Sequence, residues 1–321
     1  MSLILKIFAV GLDRLALVFG FACLMAAILA QGGRFNPRLD LLTHFALIWL
    51  YGGLAVSLYS LVSLGQRSIL LALGIATVTA ALTLMAPEYL RSIEPRVAAS
   101  SPHTLKIIQF NAWHKNSDIQ SDVQWLTSEA PDVIAIEELT PGMYDALLAH
   151  GDYHMMPGRL GTALFTKAPP KESIFPALGP QRERPDLVSA TLPHSVGDFT
   201  MIGLHLSWPT YLSQSDLREQ LLENLKTVDR SKVILVGDFN LTPWSFALQD
   251  FDKRSGLSRR DRAIFSWPGQ PFLDGRLSSP IPFLPIDHVY AGSAWRTVSI
   301  KRGPKRGSDH YPLVVVLAPR T

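Results

Sequence analysis

The stretch VILVGDFNLTP, residues 233–243, places an acid and an amide directly after a run of branched apolar residues. Asp238 and Asn240 stand two positions apart, so in an extended segment their side chains would point to the same side. Such a pair could hold a water molecule, because the carboxylate accepts its proton while the amide fixes its position. An Asx turn that closes a strand would use the same two residue types. The fragment alone leaves both interpretations open.

Further acids, amides and histidines follow or end short apolar runs elsewhere in the chain. Hard oxygen donors and an imidazole, without cysteine, suit Mg²⁺ or Mn²⁺ better than Zn²⁺. A divalent ion that is held by one or two carboxylates and keeps several waters is the usual arrangement for polarising a phosphate. The residues that indicate this chemistry, besides the first pair, are Asn111, Glu138, Asp287, Asp309 and His310.

The segments that must position these residues read as strands with helices between some of them. Helical spacing of apolar residues is clearest in 119–126 and in 213–229. Strands without intervening helices also occur, so the pattern indicates a mixed α/β domain with two packed sheets and helices outside, in which chemistry lies at strand ends. The strand candidates are 105–110, a run within 131–139 that ends at Glu137 and Glu138, 162–166, 187–192, 200–206, 233–236, 287–290 and 312–317.

The first 86 residues are too apolar for an ordinary soluble enzyme. The chain of 321 residues is 47% hydrophobic, its mean hydropathy is +0.17, and the excess lies in blocks 15–30, 41–64 and 69–86. The second and third blocks carry no Asp, Glu, Lys or Arg and are long enough to cross a hydrocarbon core of about 30 Å. We therefore expect three transmembrane helices in 1–86, a linker in 87–103 and a soluble domain in 104–321.

The first apolar block admits more than one interpretation. Its span could begin at Leu15, or its helix could begin at Leu3 and place Asp13 and Arg14 near a membrane interface. A cleaved secretory signal, with Lys6 as the charged lead, is the alternative, but two further spans behind it favour an uncleaved anchor. The Lys and Arg residues that flank the blocks do not decide on which side the soluble domain lies.

Six motifs occur in an order that identifies a family. They are IIQFNAW, PDVIAIEEL, GLHLSWP, LVGDFNLTP, PIDHVY and GSDHYPLVV. From about Leu105 to the C-terminus the chain resembles the endonuclease/exonuclease/phosphatase superfamily. Residues 266–290, behind three spans, further resemble a membrane-anchored bacterial branch that includes glycopeptide-resistance relatives. The resemblance implies a four-layer α/β sandwich, with helices flanking two stacked sheets, and metal-dependent hydrolysis of a phosphate ester.

The resemblance also implies catalytic roles for five matching residues. Asp238 would activate the attacking water, and Asn240 would orient that water or the phosphate. Asp287 would hold His310 in one tautomer, and His310 would stabilise the charge that develops on the phosphoryl oxygens. His205 corresponds to the family's second histidine and would contact the phosphate or the leaving oxygen.

The implied metal site consists of Asn111 and Glu138, with Glu138 as the principal ligand and Asp309 assisting. Glu137 departs from the pattern, since many relatives have glutamine there. On a strand it would point away from Glu138, so we expect a packing or solvent residue rather than a second ligand. His114 could line the pocket, but a loop histidine without an assigned partner is more often an ordinary surface residue.

These observations predict a membrane-anchored hydrolase that uses Mg²⁺ or Mn²⁺. Its substrate would be a phosphate ester of phospholipid type or a nucleic acid, which basic clusters such as 301–306 would attract. Resemblance to the anchored branch implies a multi-pass protein of the bacterial inner membrane with its catalytic domain on the external face, and no obligate protein partner is inferred. A catalytically inactive phosphate-binding or scaffolding domain is the alternative.

Overall fold

A computed structural model describes residues 3–171, 186–195, 197–211, 213–270 and 279–320, without the side chains of residues 3–6 and Ser213. These residues form two compact units. The first consists of Met1–Arg91 with Thr242–Gln249, and the second of Ser92–Leu241 with Asp250–Thr321. Residues 271–278, within the stretch that resembles the anchored branch, lie outside the described residues.

The first unit is built mainly from apolar helices. They are α1 (Leu3–Gln31), α2 (Pro37–Asp40), α3 (Ala46–Ser60) and α4 (Arg67–Leu90). Within the described parts of the chain, three stretches are long and apolar enough to cross a membrane, namely Ile7–Arg34, Pro37–Ser60 and Arg67–Leu90. Helices α3 and α4 pack closely where glycines face each other, since a Cβ on Gly53 would lie 3.0 Å from the carbonyl oxygen of Gly74.

Helix α1 takes the longer of the two lengths that the sequence allows. It runs without a break from Leu3 to Gln31, through Asp13 and Arg14. The carboxylate of Asp13 is buried and accepts a hydrogen bond from the Tyr59 hydroxyl at 2.9 Å. This bond gives a buried carboxyl group a polar partner among apolar helices.

A later piece of the chain, Thr242–Gln249, completes the first unit. The two carboxylate oxygens of Asp40 accept from the backbone N–H groups of Phe246 and Ala247, each at 2.9 Å. His44 Nδ1 accepts from the backbone N–H of Thr242 at 3.2 Å. Buried side chains of the apolar unit thus provide partners for backbone groups that would otherwise lack them.

The second unit contains two mixed β-sheets. The first has the strand order β10-β11-β1-β2-β4-β3, and the second β5-β6-β7-β9-β8. The helices in this part of the described sequence are α5 (Ile119–Ser128), α6 (Pro141–Ala149), α7 (Ser213–Lys226) and α8 (Phe246–Arg254). Helix α8 begins within Thr242–Gln249, which belongs to the first unit. The strands are β1 (Leu105–Asn111), β2 (Val133–Glu137), β3 (His154–Pro157), β4 (Ala163–Thr166), β5 (Asp186–Leu192), β6 (Phe199–His205), β7 (Val233–Asp238), β8 (Ser258–Arg259), β9 (Asp287–Ala291), β10 (Trp295–Arg302) and β11 (Leu313–Pro319).

Alternation along the strands creates two hydrophobic cores. On β1, Ile107 belongs to the core that both sheets share, together with Val236 of β7. Ile108 points to the other face and packs with Leu126 of α5 and Leu147 of α6. The fold is therefore two packed sheets with flanking helices, preceded by three long apolar helices, and the predicted fold class is confirmed.

Candidate active site

The inter-sheet faces of the strands turn polar at one end of the second unit. On β1, Leu105 and Ile107 lie in the shared core, and the next residues on that face are Gln109 and Asn111. The same alternation brings polar residues to this face at the ends of four other strands. They are Glu137 on β2, His205 on β6, Asp238 on β7 and Asp287 on β9.

Strand pairing places these residues side by side. Parallel pairing of β6 with β7 sets His205 opposite Asp238, and antiparallel pairing of β7 with β9 sets Asp238 opposite Asp287. In the other sheet, parallel pairing of β1 with β2 sets Asn111 opposite Glu137. Side chains that are widely separated in sequence therefore meet at one edge, as strand-end chemistry requires.

Gly237 allows β6 and β7 to approach at this edge. Its φ is +153°, and a Cβ built on it would lie 1.9 Å from the carbonyl oxygen of Leu204. No side chain fits in that space without moving the strand. The glycine of the GDFN motif is thus required by the pairing that puts His205 next to Asp238.

Asp238 uses its two carboxylate oxygens differently. Oδ1 accepts from the backbone N–H of Asn240 at 2.8 Å, which is the Asx turn that the sequence left as an alternative. Oδ2 accepts from the amide of Asn111 at 3.0 Å and lies 3.7 Å from His205 Nε2 and 3.6 Å from His310 Nε2. One carboxylate therefore closes the turn and faces the site.

Asn240 does not continue the strand. Its φ is +50°, so the backbone is left-handed rather than extended at this position. Its amide nevertheless lies 3.3 Å from Asp238 Oδ2 and donates to the carbonyl oxygen of Leu206 at 2.8 Å. The acid and the amide are brought together by a turn, not by the period of an extended strand.

Asp287 and His310 form the pair that the sequence predicted. Asp287 Oδ2 lies 2.9 Å from His310 Nδ1, and both side chains are buried. Burial would lower the pKa of His310, but the charges of Asp287 and Asp238 outweigh it and raise that pKa well above its ordinary value. Burial would raise the pKa of Asp287, but the His310 charge holds it below its ordinary value. The charge of each group thus favours the charged form of the other.

Asp238 and Glu137 differ from Asp287, because burial raises the pKa of both above the ordinary value. It raises the pKa of Asp238 to about 7, with the charge of Asp287 adding and that of His310 opposing. Burial and the Asp287 charge also raise the pKa of Glu137 well above its ordinary value. Neighbouring carboxyl groups in this cluster thus differ in their tendency to hold a proton.

Glu138 follows β2 in a left-handed conformation, with φ of +54°. Its Oε1 accepts from Asn111 at 3.2 Å and lies 4.0 Å from His205 Nε2. Its side chain is 24% exposed, and burial would raise its pKa, but hydrogen bonds from His114 and the charge of His205 lower it below the ordinary value. Glu138 therefore offers an ionised carboxylate at the open side of the cluster.

His114 contacts Glu138, which favours the pocket-lining alternative of the sequence analysis. Its backbone N–H donates to Glu138 Oε2 at 3.1 Å, and its ring Nδ1 lies 2.8 Å from the same oxygen. Its ring is largely exposed, as a surface residue would be, but it has a partner at the site. Its position three residues after Asn111, where β1 ends, was the available signal.

Asp309 lies beside Trp267 rather than in the buried cluster. The indole Nε1 of Trp267 donates to Asp309 Oδ2 at 3.1 Å, and burial raises the pKa of this carboxyl. The same loop is fastened to β1, because the Ser308 hydroxyl donates to the carbonyl oxygen of Asn111 at 2.6 Å and accepts from the backbone N–H of His310. These bonds fix the place of His310.

Three buried side chains offer atoms close enough to hold a metal ion. Asp238, Asp287 and His310 each supply one donor atom, and these atoms lie within 4.8 Å of one another. Two carboxylates and an imidazole, with the Glu138 carboxylate nearby, are hard donors that fit a divalent cation such as Mg²⁺ or Mn²⁺. Asn111 presents its amide nitrogen to the carboxylates, while its oxygen accepts from the backbone N–H of Trp113.

Comparisons with known proteins agree with this geometry. The sequence matches the model of the Endonuclease/Exonuclease/phosphatase family over residues 108–310. Solved structures with a similar fold include the endonuclease/exonuclease/phosphatase from Bacteroides vulgatus (TM-score 0.55, 13% identity, 68% of this chain and 99% of that one). They also include D. rerio TDP2 complexed with single strand DNA product (TM-score 0.53, 18% identity, 67% of this chain and 98% of that one). A third is the human Nocturnin catalytic domain with bound sulfate anion (TM-score 0.52, 18% identity, 73% of this chain and 99% of that one).

These identities are low, so the structural likeness shows a common fold and no more than that. Among curated proteins, no relative was found. Activity and substrate therefore have to be inferred from the side chains of this chain.

Proposed function

Because the chain belongs to the endonuclease/exonuclease/phosphatase family, we propose that it is a membrane-anchored phosphoesterase that hydrolyses a phosphate ester with Mg²⁺ or Mn²⁺. The observation that carries the proposal is the position of Asp238. Its Oδ2 lies within 4 Å of two imidazoles and accepts from the Asn111 amide, although these groups come from separate strands and loops. Such a set of donors and acceptors suits activation of a water beside a phosphate.

Glu138 and Asn111 are the proposed principal metal site, with Asp309 assisting. Glu138 is the ionised carboxylate that is partly open to solvent, and hydrogen bonds from Asn111 and His114 orient it. The Asp238 carboxylate lies beside this pair, because its Oδ2 accepts from the same Asn111 amide. A divalent cation bound there supplies positive charge that polarises the phosphate.

Asp238 is the proposed general base. A base works best when its pKa lies near the working pH, and burial raises the pKa of Asp238 to about 7. The Asx turn fixes Oδ1, and Oδ2, which lies nearer the two imidazoles, is the oxygen that would accept a proton from water. The amide of Asn240, 3.3 Å from that oxygen, is placed to orient the water or the phosphate.

His310 is the proposed stabiliser of the phosphoryl oxygens. Asp287 holds Nδ1, which directs Nε2 towards Asp238 and the space where the phosphate would lie. A protonated ring offers positive charge to the oxygens as negative charge develops. His205 Nε2, between Glu138 and Asp238, is placed to contact the phosphate or the leaving oxygen.

The proposed domain order is an anchor in 1–86, a linker in 87–103 and a catalytic domain in 104–321. We place the chain in the membrane-anchored bacterial branch, in the inner membrane, with the catalytic domain on the external face. Anchoring favours a phospholipid-type phosphate ester over a nucleic acid, because a tethered domain reaches headgroups without diffusing and an external one rarely meets cellular DNA. Solved relatives do not decide this, since the D. rerio structure holds single strand DNA product.

The test is hydrolysis by the purified full chain in detergent, on generic phosphodiesters and phosphomonoesters with Mg²⁺ or Mn²⁺. We expect activity that EDTA abolishes, and its loss in Asp238→Ala and in His310→Ala with unchanged near-UV circular dichroism. The matched controls are Asp152→Ala and His150→Ala, an exposed surface pair that should keep full activity. Full activity in both site variants would refute the assigned roles, and phosphate binding without hydrolysis would favour an inactive scaffold.

A further inference from the structure

Two fully buried polar side chains lie beneath the proposed site and have no role in it so far. Gln109 is on β1 and Glu137 on β2, and neither is exposed to solvent. Both continue the faces that Ile107 and Ala135 present to the inter-sheet core. A core position normally holds an apolar residue, so two polar groups there need an explanation.

The amide of Gln109 joins the two sheets. Its Nε2 donates to Glu137 Oε2 at 2.9 Å and to Asp287 Oδ1 at 2.7 Å. The other oxygen of Asp287 faces His310 Nδ1 at 2.9 Å. A continuous series of hydrogen bonds therefore runs from Glu137 through Gln109 and Asp287 to His310.

This geometry restricts the Asp287 carboxylate. An amide NH₂ group has two donors in a fixed plane, and here each donor is directed to a different carboxyl group. Because Gln109 holds Oδ1, the carboxylate cannot rotate without losing a buried hydrogen bond, and Oδ2 stays directed at His310. Glu137 holds the second donor and thereby sets the plane of the amide.

Packing alone does not explain why Gln109 and Glu137 occupy these buried positions. The remaining oxygens, Gln109 Oε1 and Glu137 Oε1, have no hydrogen-bond partner within the part of the chain that the structure describes. Buried polar atoms without partners cost free energy, and apolar side chains of similar size would avoid that cost. The pair is better explained by what it does to Asp287.

We propose that Gln109 and Glu137 are positioning residues of the reaction, in which Glu137 orients the Gln109 amide and Gln109 fixes Asp287 against His310. Neither touches the substrate. The inference rests on the proposed function, since it assigns their effect to the step in which His310 acts.

The first test reads the hydrogen bond itself and needs no activity. In the full chain labelled with ¹⁵N-histidine, the Nδ1–H proton of His310 should resonate far downfield, and His310→Gln identifies it by its loss. We expect Gln109→Met to move this resonance upfield or abolish it, and Glu137→Met to do the same. Glu137→Gln keeps an acceptor oxygen and should restore the wild-type position.

The second test is kinetic and uses the same variants. Gln109→Met should lower kcat roughly tenfold or more and change KM little. The loss should vanish when Asp287→Asn is already present, because a residue that acts through Asp287 has nothing left to position. The control is Ile107→Val, a change on the same face of β1 that should alter neither kcat nor the resonance.

The outcomes separate this inference from the proposed function. An unmoved resonance and an unchanged kcat in folded Gln109→Met would overturn the inference, as would additive losses with Asp287→Asn. Should Gln109→Met not fold, the contrast between Glu137→Met and Glu137→Gln decides in its place. If the wild type hydrolyses nothing, the proposed function fails while the resonance still tests the positioning.

Discussion

Asp238 shows how one buried residue can satisfy two interpretations of a short motif. A carboxylate has two oxygens, and here one closes the Asx turn while the other faces the proposed site. The Asx turn and the water-binding role, which the sequence left as alternatives, are therefore compatible. The distinction matters because Oδ2, and not the oxygen in the turn, lies within 4 Å of His205 Nε2 and His310 Nε2.

The raised pKa of Asp238 predicts the direction of the pH dependence. Burial raises this pKa to about 7, so the base is protonated in acid and ionised above that pH. We expect kcat/KM to rise with pH, with an inflection at or below 7, since a bound cation favours the ionised form. The measurement is kcat/KM at saturating Mg²⁺ from pH 5 to 9. A profile that is flat or falls over the acid half of this range would contradict the role of Asp238 as base.

Among single residues, the sequence could indicate which side chains come together but not how they meet. The residues at strand ends could be found because each follows an apolar run, as Glu138 follows β2. Gln109 and His114 could not be assigned, because their partners lie on other strands or across a turn. Which oxygen meets which donor depends on the pairing of two sheets, and no local pattern encodes that.

At the level of elements, the central strands and the edge strand β5 were predicted, and the other three edge strands were not. Central strands such as β1 and β7 are apolar runs because both faces are buried. Strands β3, β8 and β10 lie at sheet edges and are short or carry polar residues on the open side. The end of β10 overlaps the basic cluster 301–306, because an edge strand needs no continuous apolar run.

The close approach of β6 and β7 predicts that Gly237 cannot be replaced. In Gly237→Ala the new Cβ would meet the Leu204 carbonyl oxygen, so we expect a loss of ~3 kcal/mol or more in unfolding free energy, or no folding. Thermal unfolding of the full chain, followed by near-UV circular dichroism, measures this. Gly142→Ala, in helix α6, is the control, because it meets only the end of the Ile119 side chain at 3.3 Å and should not destabilise. Equal melting temperatures for the two variants would contradict the steric explanation.

Asp261 joins the segment after β8 to β9 and to the loop that follows β7. Its Oδ2 lies 2.9 Å from His288 Nδ1, its Oδ1 accepts from the backbone N–H of Val289, and His288 Nε2 lies 2.8 Å from the Leu241 carbonyl oxygen. Burial would raise the pKa of Asp261, but the charges of His288 and Arg259 bring it down to about 2. These contacts tie the chain immediately after Asn240 to the second sheet.

The lowered pKa predicts how acid weakens this unit. A folded-state pKa below the unfolded value stabilises the fold above about pH 4, and the contribution is lost as pH falls towards 2. We expect Asp261→Asn to lower the unfolding free energy by about 2 kcal/mol at pH 7 and by much less near pH 2.5. Thermal melts of wild type and variant at both pH values measure the difference. If the difference in unfolding free energy between wild type and variant does not become smaller in acid, the ionic explanation is contradicted.

For the whole molecule, the side of the membrane decides which substrates the catalytic unit can meet. Among the residues that the structure describes, three stretches could cross a bilayer, and the second unit follows them. An odd number of crossings puts that unit opposite the N-terminus. The charges that flank the helices do not orient them, so the sequence could predict the anchor but not its direction.

We predict that the C-terminus lies outside. Fused after residue 321, alkaline phosphatase, which folds only outside, should be active, and a cytoplasmic fluorescent reporter should be dark. The control is a fusion after residue 64, behind two of the three spans, which should give the reverse pattern. An inactive phosphatase and a fluorescent reporter at the C-terminus would place the second unit in the cytoplasm. Nucleic acid would then be a possible substrate.

The contribution of Thr242–Gln249 to the first unit sets an order for biogenesis. Asp40 leaves the ribosome early, but the N–H groups that it accepts from belong to Phe246 and Ala247, some two hundred residues later. The anchor can therefore insert first yet acquire its last hydrogen bonds only after most of the chain has been translated. A fragment that stops at the linker would leave the Asp40 carboxylate without these two donors, so the anchor expressed alone is not equivalent to the anchor in the intact protein.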